Sequence, residues 1–161
     1  MPLSDFNLIT DRTQADVERY AELQAKGWQG MSDDEKAEWK TFLKGAYNYT
    51  DLNRVESAVE YVANRLTQAG YVTSLVVKKD WAKDDKPTLA DMKRYMQNIS
   101  DIREALTTLV DTPEAPTADK KLTYEMANAM EQILIDINSL VTLMLCAYFY
   151  SNDIYCGEVT E

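Results

Sequence analysis

Histidine is absent from the 161 residues of this sequence. It is the side chain that titrates nearest neutral pH and the commonest metal ligand in proteins. Its absence excludes catalytic triads that need histidine, zinc sites that use it and iron sites with two histidines. The di-iron sites of four-helix bundles are excluded too, because they need two Glu-x-x-His motifs.

Cysteine and glycine are also scarce. Cys146 and Cys156 lack the spacing of a metal site, and two thiolates are too few for a structural zinc site without other ligands. Cys146 follows Leu145 and precedes Ala147, which is typical of a buried apolar cysteine, and Cys156 has no obvious activating partner. The five glycines form no phosphate-binding loop. Pairs among the 27 acidic residues have no distinctive neighbours. We therefore predict no catalytic residue, metal ligand or cofactor, and a protein that is not an enzyme.

Basic residues are fewer than acidic residues, 17 against 27, which gives a net charge of −10. This balance disfavours nucleic acid and anionic membranes as partners. The longest apolar run, 140–150, is about half the length of roughly 20 residues that a membrane span needs. The start, MPLSDFNLIT, has no basic region followed by an apolar block, so we expect no signal peptide and free thiols. We predict no membrane span.

Helical periodicity dominates the rest of the chain. Thr13, Ser32, Thr50, Thr88 and Thr123 each stand where a helix N-cap is expected. The first of these helices is expected to stop at Gly27, and the second near Gly45. The last runs from 123 to about 150 and is apolar on most sides, which places it at the centre of a bundle. The length fits a single domain, 1–161, with an N-terminal arm (1–10) and an extended C-terminal tail (151–161).

The predicted fold is therefore mainly all-α, a bundle of about five helices around the long hydrophobic C-terminal helix. One segment departs from this pattern. Residues 71–78 are rich in β-branched side chains and predict one short strand or hairpin, although no good partner strand is visible.

Several segments together resemble a module of proteins from phages and prophages of Gram-positive bacteria. The matching pieces include Asp11-Arg12-Thr13, the MSDDEKAEW helix start (31–39), KGAYN (44–48) followed by TDLNRV (50–55), KKDWAKDDKPTLADMKRYMQNISDIREAL (78–106) and YFYSNDIYCGE (148–158). The resemblance implies a structural component of the virion in the tail or baseplate region. It further implies other phage structural proteins as partners, synthesis in the host cytoplasm and location in the particle. It supplies no catalytic residue.

Two sets of apolar and aromatic residues are candidates for contact with partners. We expect one set either to dock on neighbouring virion proteins or merely to close the ends of the bundle; it comprises Phe6, Leu8, Ile9, Ile154, Tyr155 and Val159. The alternative function is a cell-wall glycan-binding module in which Trp28 and Trp81 stack on sugars. A tail-associated wall hydrolase ranks third. Homo-oligomerisation is left open.

Overall fold

The computed structural model describes residues 2–41 and 43–153, and side chains within that part as far as residue 147. The described part is all-helical, which confirms the predicted fold class. A short 3₁₀ helix, Leu3–Phe6, precedes five α-helices; these are α1 (Gln14–Gly30), α2 (Asp33–Lys40), α3 (Tyr49–Gln68), α4 (Leu89–Glu104) and α5 (Tyr124–Asp153). Gly27, at φ 62°, interrupts α1 where the sequence predicted its end.

The helix starts are set by side-chain caps. Thr13, Ser32 and Thr88 form capping boxes with the acidic residue three positions on, as predicted. The predicted cap of α3 at Thr50 is wrong. Asn48 caps α3 instead, because its Oδ1 accepts from the Thr50 N–H at 2.8 Å while Asp51 accepts from the Asn48 N–H. This box starts the helix two residues earlier than the Thr50 cap would.

The core lies between α3, α4 and α5. Each contributes fully buried apolar side chains at helical spacing; examples are Val55, Val59, Val62 and Leu66 of α3, Ile99 and Ile102 of α4, and Met130, Ile133, Ile137 and Val141 of α5. Helix α5 contacts both α3 and α4, as expected of a central helix. The N-terminal arm is part of this structure, since Leu3 is buried and the 3₁₀ helix contacts α3.

Helix α5 is most deeply buried between Ala127 and Val141. Among its described side chains Val141 is the last that is fully buried; beyond it Thr142, Leu143, Cys146 and Ala147 are exposed, whereas Leu145 is half-buried against the core. The prediction that Cys146 is buried is therefore wrong. Within the described residues, 124–147 is long and apolar enough to cross a membrane by length and composition, with a third of its most apolar stretch buried. Core helices of soluble proteins meet the same criterion, so the absence of a membrane span stays a prediction.

The predicted strand or hairpin near 71–78 is wrong, because these residues have no regular secondary structure and the described chain has no strand. Side chains satisfy the backbone instead. The Val76 carbonyl accepts from Arg94 Nη1 at 2.6 Å and from Asn98 Nδ2 at 2.8 Å. The Lys78 N–H donates to Glu56 Oε2 at 3.0 Å, and Glu56 is in turn paired with Arg94 at 2.5 Å. The segment is thus held against α3 and α4 by side-chain hydrogen bonds at Val76 and Lys78.

Candidate functional site

The three described members of the first predicted docking set, Phe6, Leu8 and Ile9, are partly buried against the protein's own bundle. Phe6 is half-buried and its ring lies 5.7 Å from that of Tyr61. Leu8 packs against the core, and the Ile9 N–H donates to Glu131 Oε2 at 2.5 Å. These contacts are those of residues that close one side of the bundle. The other three members, Ile154, Tyr155 and Val159, lie outside the described residues, so docking by this set stays a prediction.

The two tryptophans proposed for glycan stacking have different surroundings. Trp81 is only 5% exposed, and Lys78 Nζ lies 3.8 Å from its ring centroid. Its backbone is held on both sides by the side-chain amide of Asn53. Trp81 therefore has no open ring face for a sugar, and this part of the prediction is corrected. Trp28 is 49% exposed with Lys40 Nζ 5.4 Å from its ring, so a glycan platform would depend on Trp28 alone.

Four charged side chains meet beneath the N-terminal arm and are called here the charge cluster: Arg12, Asp51, Arg54 and Glu131. Glu131 pairs with Arg12 at 2.8 Å and with Arg54 at 2.7 Å. Asp51 pairs with Arg54 at 2.6 Å and with Arg12 at 3.3 Å. Both carboxylates are fully buried and the Arg12 side chain is 2% exposed. Two positive and two negative charges thus neutralise one another, and of the four side chains only Arg54, at 15% exposed, reaches solvent appreciably.

The charge cluster also fastens the chain before α1. Arg54 Nη1 donates to the Asn7 carbonyl at 2.6 Å, and Arg12 Nη1 donates to the Ile9 carbonyl at 2.8 Å. The backbone of Arg12 exchanges two further hydrogen bonds with the side-chain amide of Asn128 on α5. Burial alone would lower the pKa of Arg54, but the nearby charge and hydrogen bonds of Glu131 raise that pKa overall. The cluster therefore links three parts of the sequence: the arm, α3 and α5.

This arrangement has the properties of a structural cluster. Every carboxylate in it is engaged by two arginines, so neither acid is left to accept a proton from a substrate. Within the described ranges, no group of three or more acidic or cysteine side chains is placed to hold a metal ion. The cluster can hold the fold together, and its geometry offers no acid–base pair for catalysis.

A surface pocket opens beside the start of α4 and the chain that leads into α5. Its volume is about 330 Å³, and its lining is mainly apolar. The principal lining side chains are Tyr47, Leu52, Met92, Met96, Ala118 and Leu122. The hydroxyl of Tyr47 lies 2.5 Å from that of Tyr95, which is buried behind it. Burial raises the pKa of both hydroxyls above the usual tyrosine range.

The tyrosine pair predicts a loss of stability at alkaline pH. Because the folded-state pKa values are raised, the unfolded chain releases these protons first, and stability falls as pH rises above about 10. Replacing both Tyr47 and Tyr95 by phenylalanine should reduce this fall, at a cost of about 1 kcal/mol at neutral pH for the lost hydrogen bond. Urea denaturation at pH 8 and pH 10.5 measures this fall in the free energy of unfolding for the wild type and the double variant. Equal falls for wild type and variant would contradict the assignment.

Comparison with known proteins gave no relative: no protein-family model, no curated protein and no solved structure matches this chain. The fold and the geometry described above are therefore the basis for any functional assignment.

Proposed function

We propose that this protein is a non-enzymatic structural component of a phage or prophage virion that joins neighbouring proteins in the tail or baseplate region. The observation that carries the proposal is the second half of α5. After Val141 the helix continues to Asp153, and Leu143 is 68% exposed on it. No charged residue occurs from 137 to 152. An uncharged apolar helix end that exposes a large side chain such as Leu143 is typical of a surface that other protein covers.

Three further features support an assembly role. The acidic residues buried in the charge cluster serve structure. The resemblance to a phage module extends over most of the chain and includes residues 148–153, the last residues of α5. The net charge of −10 keeps the remainder of the surface hydrophilic, so contact is directed to the few apolar places.

The test is incorporation into particles. Virions induced from the source strain are purified on a density gradient, and the protein is detected by mass spectrometry and by immunogold labelling of tails. Leu143→Glu should fold normally yet lower incorporation at least tenfold, because it places a charge in the contact. Val110→Glu is the matched control, since Val110 is also an exposed apolar residue but lies in the loop after α4, and it should incorporate as wild type.

Two outcomes would contradict the proposal. One is absence of the protein from purified particles that carry complete tails. The other is equal incorporation of Leu143→Glu and Val110→Glu, which would show that the surface of α5 around Leu143 makes no contact in the particle.

A further inference from the structure

The pocket beside α4 has the size and chemistry of an anchor site for a side chain of a partner. A volume of about 330 Å³ accommodates one large aromatic or aliphatic side chain with its flanking backbone. Met92 and Met96 line the pocket, and their flexible thioethers adapt to the shape of an inserted group. Leu89, on the rim, is 63% exposed, so apolar surface extends outward from the opening.

The rim of the pocket is positively charged in an otherwise acidic protein. Lys120 and Lys121 both line it and are exposed, and among the described residues neither has an ion-pair partner. Asp119, next in sequence, accepts a hydrogen bond from the Thr117 hydroxyl. The chemistry that this site would recognise is therefore an apolar anchor flanked by acidic residues, since charge of opposite sign steers and orients such a segment.

The chain itself contains a segment of that chemistry. Residues 153–159 read DIYCGEV, so the apolar Ile154 and Tyr155 lie between Asp153 and Glu158. This segment begins at Asp153, the last residue of α5. It is the one stretch beyond the end of α5 in which two large apolar residues stand next to each other.

Distance prevents the segment from reaching the pocket of its own molecule. The pocket includes Leu122, two residues before α5 begins, whereas the segment begins at the last residue of α5. The 30 residues of α5 span about 45 Å, since an α-helix rises 1.5 Å per residue. Tyr155 is two residues beyond Asp153, which allows it to return by only about 7 Å. The pocket that Tyr155 can enter is therefore that of another molecule.

We propose that the lysine-rimmed pocket binds residues 153–159 of a second copy of this chain, with Tyr155 as the anchor and Lys120 and Lys121 facing Asp153 and Glu158. This inference deepens the proposed assembly function and rests on it. The two surfaces in contact are different, so the interface is heterologous, and repetition of it gives a ring or an open row of copies. Helix α5, about 45 Å long, sets the distance between successive pockets.

Exchange of the charges on the two surfaces tests this contact in the full-length chain. The double variant Lys120→Glu/Lys121→Glu keeps the acidic segment but repels it from its own pocket. The double variant Asp153→Lys/Glu158→Lys keeps the basic pocket but carries a basic segment. Each variant alone should associate at least tenfold more weakly than wild type in sedimentation velocity under reducing conditions. An equimolar mixture should regain association, because each pocket then meets a segment of opposite charge.

A third variant tests whether Tyr155 is the anchor residue, and two other results would contradict the inference. Tyr155→Ala should weaken association about tenfold or more, since anchor residues contribute most of the binding energy at such sites. Failure of the mixture to regain association would overturn the head-to-tail contact. So would a wild-type chain that remains monomeric at about 1 mM, where a Kd of 1 mM would already be visible. A monomer that still enters particles would overturn this inference while leaving the proposed function in place.

Discussion

Replacement of Glu131 by alanine is expected to lower the free energy of unfolding by about 3–5 kcal/mol. Glu131 is fully buried and accepts from Arg12, Arg54 and the Ile9 N–H. Removing its carboxylate leaves Asp51 as the only anion beside two arginines, of which Arg12 is almost completely buried. An uncompensated buried charge is far more costly than the loss of an exposed pair, because water cannot replace the missing partner.

The same variant should release the N-terminal arm before the bundle unfolds. The Ile9 amide loses its acceptor, and Arg54, which also donates to the Asn7 carbonyl, loses the group that fixes its position. Hydrogen exchange should therefore show faster exchange in residues 7–12 than in α3 and α4. Urea denaturation measures the loss in the free energy of unfolding of the whole protein.

Glu114→Ala is the matched control for Glu131→Ala. Glu114 also pairs with an arginine, Arg103, at 2.8 Å, but its side chain is 89% exposed. Exposed pairs contribute about 0–1 kcal/mol, so this change should be nearly neutral. Equal effects of the two substitutions would mean that burial of the charge cluster contributes little, and that the arm is held by apolar contacts such as those of Leu3 and Phe6.

The sequence predicted the helical fold because local signals determine most of it. The capping boxes at Thr13, Ser32 and Thr88 need only residues three positions apart, and the apolar stripe of α3 follows from helical periodicity alone. The cap predicted at Thr50 also depends on local signals, but Asn48, two residues earlier, forms a capping box with Asp51 and starts the helix there. The strand prediction near 71–78 failed because β-branched composition gives no information about a partner strand.

The charge cluster could not be predicted in the same way. Its pairs join residues far apart in sequence, such as Arg12 and Glu131, and no local pattern indicates which acid will meet which arginine. One signal was present and not used. Glu131 follows Ala127 by four positions and precedes Leu134 by three, so it interrupts the apolar stripe of α5. Glu56 interrupts the stripe of α3 similarly, between Leu52 and Val59, and it too is fully buried.

Gly45→Ala is the second substitution with a large expected effect. The sequence suggested that Gly45 ends a helix, but α2 ends at Lys40 and Gly45 lies in the turn before α3. Its φ lies outside the left-handed region, so no unusual backbone conformation requires glycine here. What requires it is space, because a Cβ would overlap the backbone carbonyl of Asp16 and lie 2.8 Å from the amide nitrogen of Val17.

A clash with backbone atoms cannot be relieved by rotating a side chain. A flexible side chain could rotate away, but here α1 itself must move, together with the Lys44–Asp11 ion pair at 2.5 Å beside the contact. Added methyl groups in tightly packed sites cost about 1–3 kcal/mol, and occasionally more, so we expect a loss near 3 kcal/mol in urea denaturation. Hydrogen exchange should rise selectively in the first turns of α1, whereas α3 and α5 keep their protection.

Gly30→Ala is the matched control for Gly45→Ala, because it also adds a Cβ to a glycine but not at a close backbone contact. Gly30 is the last residue of α1, and a Cβ there would meet only Lys26 Cβ at 3.7 Å, an ordinary contact. Alanine should be neutral or stabilise by up to about 1 kcal/mol, because it restricts the unfolded chain. A Gly45→Ala protein as stable as Gly30→Ala would show that α1 does not pack against this turn. The glycine of the KGAYN motif would then need another explanation than the seating of α1 on the bundle.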